Sequence, residues 1–443
     1  MSPSWLPYLL TLLWIIGVAA LLRWPPLGLA ALIAGSLVAP VAVSTGTQTD
    51  LNFTVLFLPV LLIVGFVQLA WRGDWGRLVS RPVVPALALA GTAVLSFGIV
   101  NHTSLLFAFS IGNPPWLAHA QMAPLPAQLG GLAVFILSAG AFFLAANEIR
   151  DVGWLQALTW LFLGLAGLYL AKRLVPAVDG VTGRVFQKGA DGSLFWTWLA
   201  ALAFSQALCN RSLPLPLRLA LGCLVCAAFY VGFVESRDWL AGWVPPLLAV
   251  LAILWLGAPR VALIATLAGV VAAVVKTPTV TGLVMSADNQ YSLATRLAAW
   301  RVLADIVSAS PIFGLGPSNY YHCTPLFSIL GWHVHFSSHN TYMDILLQTG
   351  VLGLACFLWL AWDIGGVGWK LRARFATGFA HAYAIGALGG LVGTLAAAML
   401  GDWVLPFLYN VTLSGLRASV LGWVFLGGLV ALERITPPES RRL

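Results

Sequence analysis

The sequence predicts an all-α, polytopic membrane protein of about 12 transmembrane helices, with a long external loop that carries an amphipathic helix. Three observations predict it. Of the 443 residues, 60% are hydrophobic and only 9% charged, and the mean hydropathy is +0.91. The apolar residues come in runs of helix length rather than in short alternating strands. A helix needs about 20 such residues to cross a bilayer core, and only helices and closed barrels satisfy the backbone there. Lastly, most of the 23 basic residues are arginines that flank the runs. That pattern orients loops across a membrane. It does not build a basic groove, so the net charge of +8 does not point to nucleic acid.

Apolar runs fall at 5–22, 27–43, 54–71, 83–100, 129–146, 153–171, 194–209, 218–234, 239–257, 261–275, 347–367, 377–400 and 412–432. They give 12 or 13 spans; thirteen puts the amino terminus outside, and twelve merges one weak pair. The first run has no basic segment before it and reads as a retained span, not a cleaved signal. If the spans alternate, the Arg-rich segments 72–81, 210–218, 370–375 and the tail share one side, which is the cytoplasm. Segments 101–128, 172–193, 235–238, 276–346 and 401–411 then lie opposite. No long-period repeat appears, so residues 1–443 read as a single integral domain, with 276–346 its long external segment.

Cysteine usage adds little. Cys209, Cys223, Cys226 and Cys356 lie in apolar runs, and the Cys223–Cys226 pair reads as helix-packing residues rather than a redox motif. Cys323 stands alone in the long polar segment.

The long segment carries the distinctive chemistry. "YSLATRLAAWRVLADIVSAS" (291–310) places Leu293, Leu297, Trp300, Leu303 and Val307 at helical spacing, which predicts an amphipathic helix at the membrane interface. "PIFGLGPSNYY" ends it with a Gly/Pro turn. "SSHNTYMDILLQTGVLG" (337–353) then sets a polar cluster against an apolar run, with His333, His335 and His339 at or before its opening. Of the seven histidines, only His381 falls outside the external segments.

Three stretches carry a resemblance. His339-Asn340, nine residues, then Gly350-x-x-Gly353 resembles the signature of bacterial O-antigen ligases and the related polymerases. Upstream, Arg296-x3-Trp300 followed by Pro311-x-x-Gly314-x-Gly316 is similar to another family segment. Ser236-Arg237 at the head of a span looks like a third. The three occur in order across about residues 234–365. The resemblance implies an integral glycosyltransferase of the bacterial inner membrane with its active site facing the periplasm. It would take O-antigen glycan from an undecaprenyl diphosphate carrier and, as a ligase, attach it to lipid A-core, completing lipopolysaccharide. No nucleotide sugar, metal or other cofactor is implied. A polymerase extending carrier-linked glycan is the alternative. A protein O-oligosaccharyltransferase is another, though such enzymes often carry additional carboxy-terminal sequence.

The residues suit that chemistry. The leaving group is a lipid diphosphate, and guanidiniums supply bidentate donors and fixed charge for it. Arg237 and Arg296 are the expected diphosphate ligands. Arg301 is a third, although Asp305 stands one turn on and predicts a helix ion pair instead. An acceptor hydroxyl must lose its proton as it attacks, and histidine is suited to that near neutral pH. His339 is therefore the candidate base, with Asn340 and Asp402 as support. The plainer expectations are that the Ser338–Asn340 cluster caps the following helix and that Arg237 pairs with Glu235 or Asp238. His333 and His335 with His339 could form a metal trio, but no carboxylate or thiolate lies near them in sequence. Arg173, Arg184, Lys188 and Lys276 read either as attractors of anionic core phosphates or as ordinary loop charges. A transporter would place ionisable residues or broken helices near the bilayer midplane, whereas these candidates gather at one face.

Overall fold

The computed structural model describes residues 17, 19–45, 49–78, 81–102, 114–178, 185–277, 282 and 287–436. Its helices are α1 (Pro25–Val38), α2 (Phe53–Arg72), α3 (Val83–Val100), α4 (Leu125–Glu148), α5 (Val152–Leu174), α6 (Ser193–Cys209), α7 (Leu215–Tyr230), α8 (Leu240–Gly257), α9 (Pro259–Val275), α10 (Ala287–Ala309), α11 (Thr341–Arg374), α12 (Gly378–Leu400) and α13 (Leu416–Ile435). A two-stranded antiparallel ribbon, β1 (Ala42–Ser44) with β2 (Asp50–Asn52), precedes α2. Among the described residues nine helices are long and apolar enough to cross a membrane, and α1, α6 and α9 are shorter apolar helices. The chain is a multi-pass, all-α membrane protein. Every apolar run from 27 onward coincides with a helix; most of the run 5–22 lies outside the described residues.

α13 is the centre of the bundle. Each residue from Leu416 to Leu432 is buried, because α4, α6 and α12 surround it. Phe425 meets Phe162 and Trp198 there, at centroid distances of 5.1 and 5.4 Å. At the other extreme, Ala262 is the only buried residue of α9. A helix apolar all round and packed on almost nothing has its sides left for lipid.

Segments expected on one side of the membrane meet at one end of the bundle. Arg77 bonds the Asn147 carbonyl at 3.0 Å, Arg434 bonds that of Ala146 at 2.9 Å, and Glu148 lies 3.7 Å from Arg72. At the opposite end, Asn52 caps α2 and also donates to the Leu413 carbonyl at 2.7 Å. Arg417 reaches the Ser36 and Ala39 carbonyls past α1 at 3.0 and 3.2 Å. The long segment and residues 401–415 belong to this second end.

α11 departs from expectation. It runs from Thr341 to Arg374 but is broken at Gly350, with φ 68° and ψ −169°. The Gly/Pro turn that ends α10 supplies the missing backbone partners. Leu315 and Gly316 donate to the Leu347 and Gln348 carbonyls at 2.8 and 3.0 Å, and Val351 donates to the Pro311 carbonyl at 2.7 Å. Buried peptide groups must be paired, so the two glycine motifs form one interlocked joint. Gly350 ends one helix and starts another. Val351–Arg374 alone is long enough to span a membrane, about 36 Å.

α10 also departs in part. Leu303 of the expected stripe is fully buried, as is Ile306 beside it, but Leu293 and Leu297 of that stripe are 42% and 47% exposed. Among the described residues the buried positions of α10 lie in its carboxy-terminal half, and Ser292, Leu293 and Arg296 of the other half line a cavity.

Candidate active site

The loop before α11 is held by three elements. Asn340 caps α11, its side-chain oxygen accepting from the Tyr342 and Met343 amides at 2.9 and 3.3 Å. Ser338 Oγ donates to Asp344 Oδ1 at 2.7 Å, and the Tyr320 hydroxyl donates to the same oxygen at 2.5 Å. Asp344 is buried in the first turn of α11, where the helix N-terminus favours negative charge. From α10, Trp300 Nε1 donates to the Ser338 carbonyl at 2.9 Å. Between these anchors His339 adopts φ 48°, a left-handed conformation uncommon for residues other than glycine. Its neighbours do the capping, which leaves the imidazole to face outward.

It faces a cavity of ≈ 600 Å³. Trp239, Leu240, Leu293 and Leu400 give that cavity apolar walls, and Asp238, Arg296, Asp402 and Asn410 line it beside His339. Arg296 Nη1 donates to the Leu400 carbonyl at 3.3 Å, while its buried Nε has no partner among the described residues. Asp402 is buried and accepts from the Phe407 amide at 3.1 Å and from Asn410 Nδ2 at 2.7 Å. The same Asn410 nitrogen lies 3.0 Å from His339 Nδ1.

Electrostatics follow from this enclosure. Burial lowers the His339 pKa below the usual value, and the nearby Arg296 adds to the effect. Both effects favour the neutral imidazole, the form that can take a proton. Burial also lowers Arg296, with Asp402 opposing it. The Asp402 carboxyl is pushed up to about 6 by burial, against the hydrogen bonds from Asn410 and the backbone. Aliphatic walls, one cation and one neutral imidazole suit a lipid-borne anion whose reacting bond lies near the histidine.

The other residues singled out from sequence lie elsewhere. Arg237 is exposed, one position from the cavity-lining Asp238. Neither Glu235 nor Asp238 forms an ion pair with it among the described residues; Glu235 is held instead by Arg173 at 2.7 Å. Arg301 is exposed and outside the cavity. Five residues from Arg296 is about 140° around a helix, so the two cannot share a face. The expected ion pair of Arg301 with Asp305 does not form among the described residues. His333 and His335 turn away, their Nδ1 atoms 3.0 Å from the Pro325 and Tyr321 carbonyls. Among the described residues no three histidine, cysteine, aspartate or glutamate side chains converge as a metal site. Arg173 is engaged by Glu235, Asp191 and Ser236. Lys188 and Lys276 are exposed, and Arg184 lies outside the described residues.

Sequence reasoning missed Asn410, Asp344 and Tyr320. Asn410 stands 71 positions from His339 in a stretch without a motif, and nothing local marks it.

Residues 218–358 match the family model described as O-Antigen ligase. The match supports a place for the chain in the O-antigen ligase/polymerase superfamily. The family implies a lipid-linked glycan transferase working in a bilayer. No curated protein matches the chain. The superfamily segment contains Arg237, Arg296, Arg301 and His339, whereas Asp402 and Asn410 lie beyond it and join the site through the fold.

Proposed function

We propose that the protein is an O-antigen ligase, transferring glycan from undecaprenyl diphosphate to lipid A-core at the periplasmic face of the bacterial inner membrane. One observation carries this reading: Arg296 and His339 line the same cavity, beside apolar walls and at a helix end. The carrier's isoprenoid lies along the bilayer while its diphosphate meets Arg296. Arg237 approaches the diphosphate from the rim. The acceptor hydroxyl enters from the aqueous side, and His339 removes its proton as the oxygen attacks the anomeric carbon. The bond from that carbon to diphosphate oxygen breaks with its electron pair on the diphosphate. Attack from the opposite face inverts the anomeric centre. No step calls for a metal.

A purified assay offering both carrier-linked glycan and lipid A-core tests the reading. Lipopolysaccharide is the expected product. Lengthened glycan still on the carrier, with lipid A-core unchanged, would make the protein a polymerase.

The cations divide in the same assay. Arg296→Lys keeps the charge but loses the planar fork. A charge-assisted bond contributes about 1.5–3 kcal/mol, so transfer should fall roughly 10- to 100-fold. Arg301→Lys, exposed and outside the cavity, should stay within about twofold of wild type, as surface changes do. Equal activity in both variants would remove Arg296 from diphosphate recognition.

A further inference from the structure

His339 has two ring nitrogens, and its contacts leave one of them free. Nδ1 lies 3.0 Å from Asn410 Nδ2, so Nε2 is the nitrogen left for a substrate. Asn410 Nδ2 is also 2.7 Å from Asp402 Oδ1. A single amide therefore touches a carboxyl and an imidazole. With Asp402 ionised, the amide NH2 donates one hydrogen to the carboxylate and the other to Nδ1. An accepting Nδ1 puts the proton of a neutral imidazole on Nε2, and Nε2 is then a donor. With Asp402 protonated, the carboxyl O–H becomes the donor. The amide satisfies both neighbours by presenting its oxygen, which accepts from Asp402 and from Nδ1–H. Nε2 now carries the lone pair.

We infer that Asn410 is a positioning residue that couples the protonation of Asp402 to the tautomer of His339, so that Nε2 accepts a proton only while Asp402 is protonated. The inference rests on the reading of His339 as the base. When the acceptor attacks, its proton moves to Nε2, Nδ1–H stays bonded to the amide oxygen, and Asp402 keeps its own proton. The charges around Asp402 put this switch under substrate control. Arg296 from α10 favours the carboxylate, whereas Asp344 from α11 opposes it, with Tyr320 also close, and Asp238, two residues before α8, lines the same cavity. A carrier diphosphate in the same cavity adds negative charge, which favours the protonated carboxyl. Donor binding thereby prepares the base before an acceptor arrives. Burial already brings Asp402 up to about 6, within reach of such a shift.

The test is the pH profile of kcat for transfer by the purified protein, compared with Asp402→Asn, Asn410→Ala and His339→Ala. Wild type should lose activity as pH rises through the Asp402 value in the donor complex, approaching tenfold per unit. Asp402→Asn places a permanent N–H donor where the protonated carboxyl stands. It should keep transfer within a few-fold at low pH and lose the alkaline decline. Asn410→Ala should lower kcat about 10- to 100-fold, leave KM for the carrier unchanged and abolish that decline. An Asp402→Asn enzyme that folds and is inactive at every pH, or a profile matching wild type, overturns the coupling. Should Asp402→Asn not fold, an unaltered alkaline decline in Asn410→Ala overturns it instead. Wild-type turnover by His339→Ala is a separate outcome: it removes the base itself.

Discussion

His339→Ala is expected to lose transfer by about 10²–10⁴-fold, the usual range for a general base, or about 3–5 kcal/mol of barrier. Carrier binding should persist, because Arg296 and the apolar walls remain. The fold should persist too, since Asn340 caps α11 and Ser338 is held by Asp344 and Trp300. Alanine tolerates φ 48° less well than asparagine, so His339→Asn separates chemistry from strain. Both variants should be equally inactive, with thermal stability close to wild type. His333→Ala and His335→Ala should keep most activity, as their rings are exposed and bonded to loop carbonyls. EDTA should change nothing. Transfer by His339→Ala near the wild-type rate would end the base assignment, and EDTA inhibition reversed by a metal ion would revive a metal mechanism.

Gly350→Ala should damage the fold more than any other single-methyl change in the site. A Cβ there would lie 2.1 Å from the Ile312 oxygen and 2.2 Å from its carbonyl carbon. Both atoms are backbone, so neither can rotate aside. The conformation, φ 68° and ψ −169°, is also one that essentially only glycine adopts. Strain and clash together should cost on the order of 3 kcal/mol or more. Thermal unfolding in detergent should show a large drop in Tm, with transfer lost because His339 and the 311–316 turn are anchored to the same joint. Gly353→Ala is the control. Its nearest contacts would be Thr349 Oγ1, Thr349 Cβ and Thr92 Oγ1, at 1.9, 2.6 and 3.2 Å; all belong to side chains and Gly353 keeps a helical φ, so its loss of stability should be the smaller of the two. Similar stability in the two variants would show that the broken helix is not obligatory.

The contrast between those glycines marks how far the sequence could be read. Both belong to one motif, Gly350-x-x-Gly353, which does not tell them apart. Their spacing records that close approach occurs but not that the approaching group is the Pro311–Gly316 backbone. Arg296 and Arg301 are a similar case. Each is a cation on the amphipathic α10, and only the rotation of that helix against α11 and α12 places one in the cavity and the other in solvent. Trp300 read as an interfacial anchor, yet its indole bonds a carbonyl 38 positions away.

The sequence by itself determined the membrane-spanning architecture, the extents of most helices and the gathering of His339, Asn340 and the arginines at one end. Those properties arise from local chemistry. A run of some 20 apolar residues is long enough to cross a bilayer whatever surrounds it, and an asparagine before a helix caps it wherever that helix packs. The tertiary structure alone decided that Asp402 reaches His339 through Asn410, that Glu235 is held by Arg173, and that α11 breaks to admit another segment's backbone. Each depends on groups from segments tens of residues apart being held within about 3 Å. That distance is set by packing of the whole bundle, and no local pattern encodes it.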